Sequence, residues 1–93
     1  MNETEARKLL TAKVAELRTL TYTELLRFFE VEAIELAGAS GAGYQIEVEA
    51  FWDDGRPGNL RVMVAIDDGR GWRAFVPMTD CFIVAPDGSF VGE

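Results

Sequence analysis

Histidine is missing from this 93-residue chain, and cysteine occurs once. Without histidine there is no Ser-His-Asp or Cys-His couple, no imidazole ligand for a metal, and no ordinary general base near neutral pH. The single thiol, Cys81, excludes an intramolecular disulfide framework and suits a reducing compartment. No apolar run approaches the ~20 residues that a membrane-spanning helix requires. The opening Met1-Asn2-Glu3-Thr4-Glu5 has neither the basic nor the apolar stretch of a secretory leader. Cations are scarce as well, nine Lys and Arg against sixteen Asp and Glu, for a net charge of -7. Nucleic acid and anionic membrane surfaces need clustered Lys and Arg, so neither is an expected partner. What remains is a cytoplasmic protein whose partners are basic proteins or cationic ligands.

The chain is long enough for one domain spanning residues 1–93, and at 48% hydrophobic residues it carries material for a core. Its charge is unevenly spread. Up to Phe28, Glu3, Glu5, Glu16 and Glu24 face Arg7, Lys8, Lys13, Arg18 and Arg27; from Phe29 onward twelve carboxylates face only Arg56, Arg61, Arg70 and Arg73. The surplus of negative charge therefore belongs to the second part of the chain.

Periodicity divides the chain at the same place. Ala6, Leu9, Leu10, Val14 and Leu17 recur at spacings of three and four, which predicts an amphipathic helix over about 3–18 with Asn2 or Thr4 as its cap. Thr21-Tyr22-Thr23-Glu24 has the form of a capping box and predicts a short helix over about 21–28. Residues 30–37 fit a strand or a continuing helix; because the alternation slips at Ile34, a strand with a bulge is the favoured reading. The stretch 38–43 reads as a flexible hairpin connection. Strands follow at about 44–53, 59–67, 72–76, 80–85 and 89–92, separated by turn-forming Asp-Gly and Pro-containing segments. The expected fold is α+β: two helices on one face of a curled antiparallel sheet of four to six strands. That layout resembles the cystatin-like helix-on-sheet arrangement, in architecture alone and with no implied function.

The chemistry-bearing residues are few. Ser40 sits in Gly38-Ala39-Ser40-Gly41-Ala42-Gly43, between two strands, where a nucleophile elbow needs a strand-to-helix turn and a second glycine in place of Ala42. Cys81 has Asp80 beside it, and a negative neighbour disfavours the thiolate; a half-buried, inert cysteine is expected. The aspartates suit hairpin turns better than a cation, since no D-x-D-x-D-G loop is present. The expected topology places Asp53 and Asp54 near Asp80 at one end of the sheet, and Asp67 and Asp68 near Asp87 at the other. No catalytic residue, metal ligand or cofactor site is assigned.

The outer sheet face is the candidate site. It mixes Glu47, Glu49, Arg61 and Arg73 with Phe51, Met63, Ala65 and Phe75, and pairs the two glutamates with the two arginines. Aromatic, Met and Arg residues are enriched in interface cores. The reading is a small non-catalytic interaction domain that binds a protein or itself, as a homodimer, through this face. An inhibitor or immunity-type protein that masks a basic site is one version. A helix-on-sheet pocket using Tyr44, Asp53 or Asp80 for ligand binding or acid/base chemistry is the alternative, and an accessory subunit is a third.

Overall fold

Asn2 and Thr21 each open a helical segment by hydrogen bonding to it. In the computed structural model, which describes residues 2–53, 55, 58–68 and 77–93, the Asn2 side chain accepts from the Glu5 N–H at 3.0 Å and starts α1, Glu3–Leu17. Glu3 and Glu5 occupy the first turn, where the helix dipole favours anions. Ala6, Leu10, Val14 and Leu17 form the buried stripe of this helix. At Thr21 both halves of the capping box are present: the hydroxyl accepts from the Glu24 N–H at 3.1 Å, and the Glu24 carboxylate accepts from the Thr21 N–H at 2.8 Å.

The segment this box opens is shorter than one continuous helix. It divides into α2, Tyr22–Leu25, and a 3-10 turn, Leu26–Phe29. Three residues per turn puts Leu25 and Phe28 on the same side, and both are buried. Phe29 is left 43% exposed and lies against Trp52, with ring centroids 5.0 Å apart.

Four antiparallel strands form a meander in the order β1 (Glu32–Ala37), β2 (Gly43–Trp52), β3 (Leu60–Asp67) and β4 (Met78–Val84). The class is α+β, with the helices packed on one face. Residues 30–37 supply a strand, but without the expected bulge: its register runs unbroken from Glu32 opposite Val48 to Ala37 opposite Gly43. The alternation slips because Phe29 and Val31 precede the strand. Within it, Glu32, Ile34 and Leu36 are half-buried while Ala33, Glu35 and Ala37 are exposed, and Glu32 meets Arg27 at 3.2 Å.

The chain after β3 departs from expectation. The segment 80–85 is found as β4, two residues earlier at its start, and it pairs directly with β3, from Leu60 opposite Val84 to Ile66 opposite Met78. Residues 72–76 lie outside the described residues. The expected strand 89–92 is reduced to one bridge, Phe90 to Val84. Direct pairing of β4 with β3 also reverses the placement of the aspartates. Asp80 stands opposite Val64 within the sheet, and Asp87 follows the end of β4 that adjoins Leu60, the Asp53 end.

The core joins the α1 stripe, Leu25 and Phe28 to the inner sheet face: Tyr44, Ile46, Val48 and Ala50 on β2, alternate residues Leu60 to Ile66 on β3, and Phe82 and Val84 on β4. Trp52, at the end of β2, is only half-buried. The C-terminal residues return to α1. The Arg18 guanidinium lies 3.9 Å from the Phe90 ring centroid and binds both Glu93 carboxylate oxygens, at 2.6 and 2.5 Å. Among the described residues no helix is long and apolar enough to cross a membrane.

Candidate interaction surface

Strand alternation that buries one face of β2, β3 and β4 presents their other residues outward in three cross-strand rows. Glu47, Ala65 and Thr79 make the first, Glu49, Met63 and Cys81 the second, and Phe51, Arg61 and Ile83 the third. Met63 therefore sits at the centre, with apolar Phe51, Ala65 and Ile83 around it. Ile83 belongs to this group although the outer-face reading of the sequence omitted it; alternation back from Phe82 and Val84 was the available signal. Phe75 and Arg73 lie outside the described residues.

The expected pairing of Glu47 and Glu49 with Arg61 is not found. Glu47 stands opposite Ala65 and Glu49 opposite Met63, whereas Arg61 stands opposite Phe51. Arg61 instead donates to the Asp53 carboxylate from Nε at 3.0 Å and from Nη2 at 2.6 Å, and to the Cys81 sulfur from Nη1 at 3.4 Å. The Asp53 carboxylate in particular holds the guanidinium more firmly protonated than an isolated arginine. Arg61 thus closes one corner of the surface and leaves Glu47 and Glu49 as its acidic rim. α1 approaches β3 and β4, and the Leu26–Phe29 turn approaches β2, from the inner side. Among the described residues neither helix lies over the outer face.

At the other end of β2, the glycine-rich connection is tied to the helix layer. The Glu5 carboxylate accepts from the Ser40 hydroxyl at 2.7 Å, the Ser40 N–H at 2.9 Å and the Tyr44 hydroxyl at 2.8 Å. The Ser40 bonds chiefly, then that from Tyr44, hold the Glu5 carboxyl below its ordinary value of 4.5, while burial first and Glu5 second push the Tyr44 phenol up. Gly38 makes room for this carboxylate, for a Cβ there would lie 2.4 Å from the Glu5 side-chain carboxyl carbon. Ser40 is thereby a structural contact, and the expected flexible loop is a pinned one. The sequence holds no local sign of it, since Glu5 and Ser40 meet only through the fold.

Two expected outcomes follow from this latch. A carboxyl whose folded pKa is depressed stabilises the fold above its unfolded pKa, and that contribution disappears as pH falls through the folded value. The melting-temperature difference between wild type and Glu5→Gln should accordingly be largest at neutral pH and shrink below about 4.5; a difference independent of pH would contradict the carboxylate's role. Gly38→Ala should displace the same carboxylate, so the double variant Gly38→Ala, Glu5→Ala should be no less stable than the worse single variant. Additive losses would show the two positions to be independent.

The remaining candidates do not converge. Asp53 binds Arg61, Asp80 accepts from the Cys81 N–H at 2.8 Å, and the Tyr44 hydroxyl is engaged by Glu5 near the β1–β2 loop. Cys81 is exposed, where a half-buried thiol was expected. Among the described residues no three acidic or thiol side chains are grouped to hold a metal. Open hollows of about 500 Å³ beside Tyr44 and Asp68, and about 350 Å³ beside Lys8 and Ala39, include neither Asp53 nor Asp80. Comparison with protein-family models, curated proteins and solved structures finds no match to this chain.

Proposed function

We propose that this chain is a non-catalytic interaction domain that binds a protein, a second copy of itself or a more basic chain, through the outer face of β2, β3 and β4. The observation that carries the reading is the half-buried apolar group of Phe51, Met63, Ala65 and Ile83, at neighbouring outward positions of three strands, over which no helix lies among the described residues. Side chains of this kind supply affinity when a partner excludes water from them. Glu47 and Glu49 at the rim would guide approach and select for basic surfaces. An inhibitor or immunity-type protein that masks a basic site with these carboxylates is one form of this reading. The single cysteine suits a cytoplasmic setting.

A concentration series by light scattering tests the reading. Wild type should form a homodimer, and Met63→Glu should weaken it about tenfold or more, because a carboxylate placed in a desolvated patch loses water without gaining a partner. Phe51→Glu is a second variant at the edge of the same group. A strict monomer that captures the same proteins as its Met63→Glu variant would overturn the assignment of the face.

A further inference from the structure

The sheet has two edges, and the chain treats them differently. Residues that exchange backbone hydrogen bonds alternate along an antiparallel pair with residues that do not. The Gly38 N–H donates to the Ala42 carbonyl at 2.8 Å, immediately beyond the pair Ala37 and Gly43. Even-numbered residues of β1 therefore bond to β2, and Ala33, Glu35 and Ala37 turn their N–H and C=O groups to the free edge. The same count along β4 turns Thr79, Cys81 and Ile83 to the opposite edge. There the chain engages two of these groups itself: the Ile83 carbonyl accepts from the Val91 N–H at 2.9 Å, and the Cys81 N–H donates to the Asp80 carboxylate at 2.8 Å. No described residue does this for β1.

We infer that the open edge of β1 receives an extended, basic strand from a partner protein, which adds to the sheet by backbone pairing with Ala33, Glu35 and Ala37. This rests on the protein-binding reading and names the partner's chemistry. Strand addition takes its affinity from main-chain bonds and its specificity from alternate side chains, and the side chains beside this edge set that specificity. On the outer side, Glu35 stands between the small Ala33 and Ala37, and Glu47 lies directly across from Ala33. With strands ~4.8 Å apart, a long cationic side chain on an added strand can cross Ala33 to Glu47 and flank Glu35. On the inner side Ile34 and Leu36 are only half-buried, and Val31, just ahead of the strand, is 55% exposed. The complementary segment therefore alternates Lys or Arg with Val, Ile or Leu. A second copy of β1 is a poor occupant, because antiparallel pairing about Glu35 would set the two Glu35 carboxylates opposite one another, and like charges across strands repel.

The probe is an eight-residue peptide of alternating lysine and valine, titrated into the full chain while backbone amide signals and their hydrogen exchange are followed. The Ala33, Glu35 and Ala37 amides should gain protection. A peptide N-methylated at the residues that donate to the edge should bind about tenfold more weakly or worse, a factor of ten being ~1.4 kcal/mol. This comparison leaves the protein untouched, so it cannot fail through misfolding. Ala33→Pro, which removes an outward N–H while keeping the charge and the β1–β2 bonds, should weaken binding similarly with its melting temperature checked in parallel. Equal binding by the N-methylated peptide, or by one of the same composition with lysines and valines in separate blocks, would reduce the effect to charge alone and overturn the inference. Protection at Met63 and Cys81 without any at Ala33, Glu35 and Ala37 would also overturn it, while leaving the outer-face reading standing. Loss of peptide binding in Ala33→Pro but not in Met63→Glu would support the edge, and the light-scattering series then decides the outer face separately.

Discussion

Replacing Phe28 by alanine is expected to destabilise the fold by about 3–5 kcal/mol, and the same change at Phe29 by about 1 kcal/mol or less. The two side chains are chemically identical neighbours in the same 3-10 turn. Phe28 is 1% exposed and Phe29 43% exposed. The first would leave a ring-sized cavity among Leu25 and the inner sheet residues, whereas the second gives up one face of a contact with Trp52. A domain of this size has roughly 5–15 kcal/mol of total stability. Phe28→Ala should therefore be only marginally folded, with a large fall in the urea midpoint at unchanged slope. Equal effects at the two positions would mean that the turn does not direct Phe28 into the core. Leu10→Ala, on the fully buried stripe of α1, should cost about 2–5 kcal/mol and serves as the helix-layer comparison.

That contrast also marks where periodic patterns stop being informative. The α1 stripe, the capping box, β2 and β3 were legible because each has one dominant period and one buried face, so that Ala6, Leu10, Val14 and Leu17, or Leu60, Val62, Val64 and Ile66, state their partner surface directly. The 3-10 turn was not, for four residues are too few to separate a period of 3.0 from one of 3.6, and Leu25 and Phe28 share a face in either. The β1 bulge was read into the sequence for a similar reason: Phe29 and Val31 share the alternation of the strand without belonging to it. β4 lost its place because the strand read at 72–76 was set between it and β3, whereas the two pair directly, and with that order Asp80 and Asp87 were assigned to the wrong ends. Of the outer face, Glu47, Glu49, Phe51, Arg61 and Met63 were found by alternation. Their mutual pairing was not, since register depends on turn lengths. Arg61 consequently meets Asp53 and Cys81 where glutamates were expected. The Glu5 latch is a long-range contact between helix and loop, and no local pattern specifies it.

The charge asymmetry gives the second large effect. Reversing Glu47 and Glu49 together to lysine is expected to slow association with the lysine and valine peptide by on the order of 10- to 100-fold at low salt, since rim charges act on encounter more than on the final complex. The comparison needs an equal change in net charge placed elsewhere. Glu5 is unsuitable for that purpose because reversing it would also break the bonds to Ser40 and Tyr44. Glu3 and Glu16 are exposed on α1, remote from the outer face, and their joint reversal alters total charge by the same amount. Wild-type association should slow as ionic strength rises past about 0.1 M, where the Debye length is ~10 Å, and the Glu47, Glu49 variant should lose most of that dependence. The Glu3, Glu16 variant should retain it. If both variants slow association equally, the field of the whole molecule is responsible rather than the rim. The sheet's carboxylates would then act to keep the protein dispersed and to discourage sheet edges from pairing with one another.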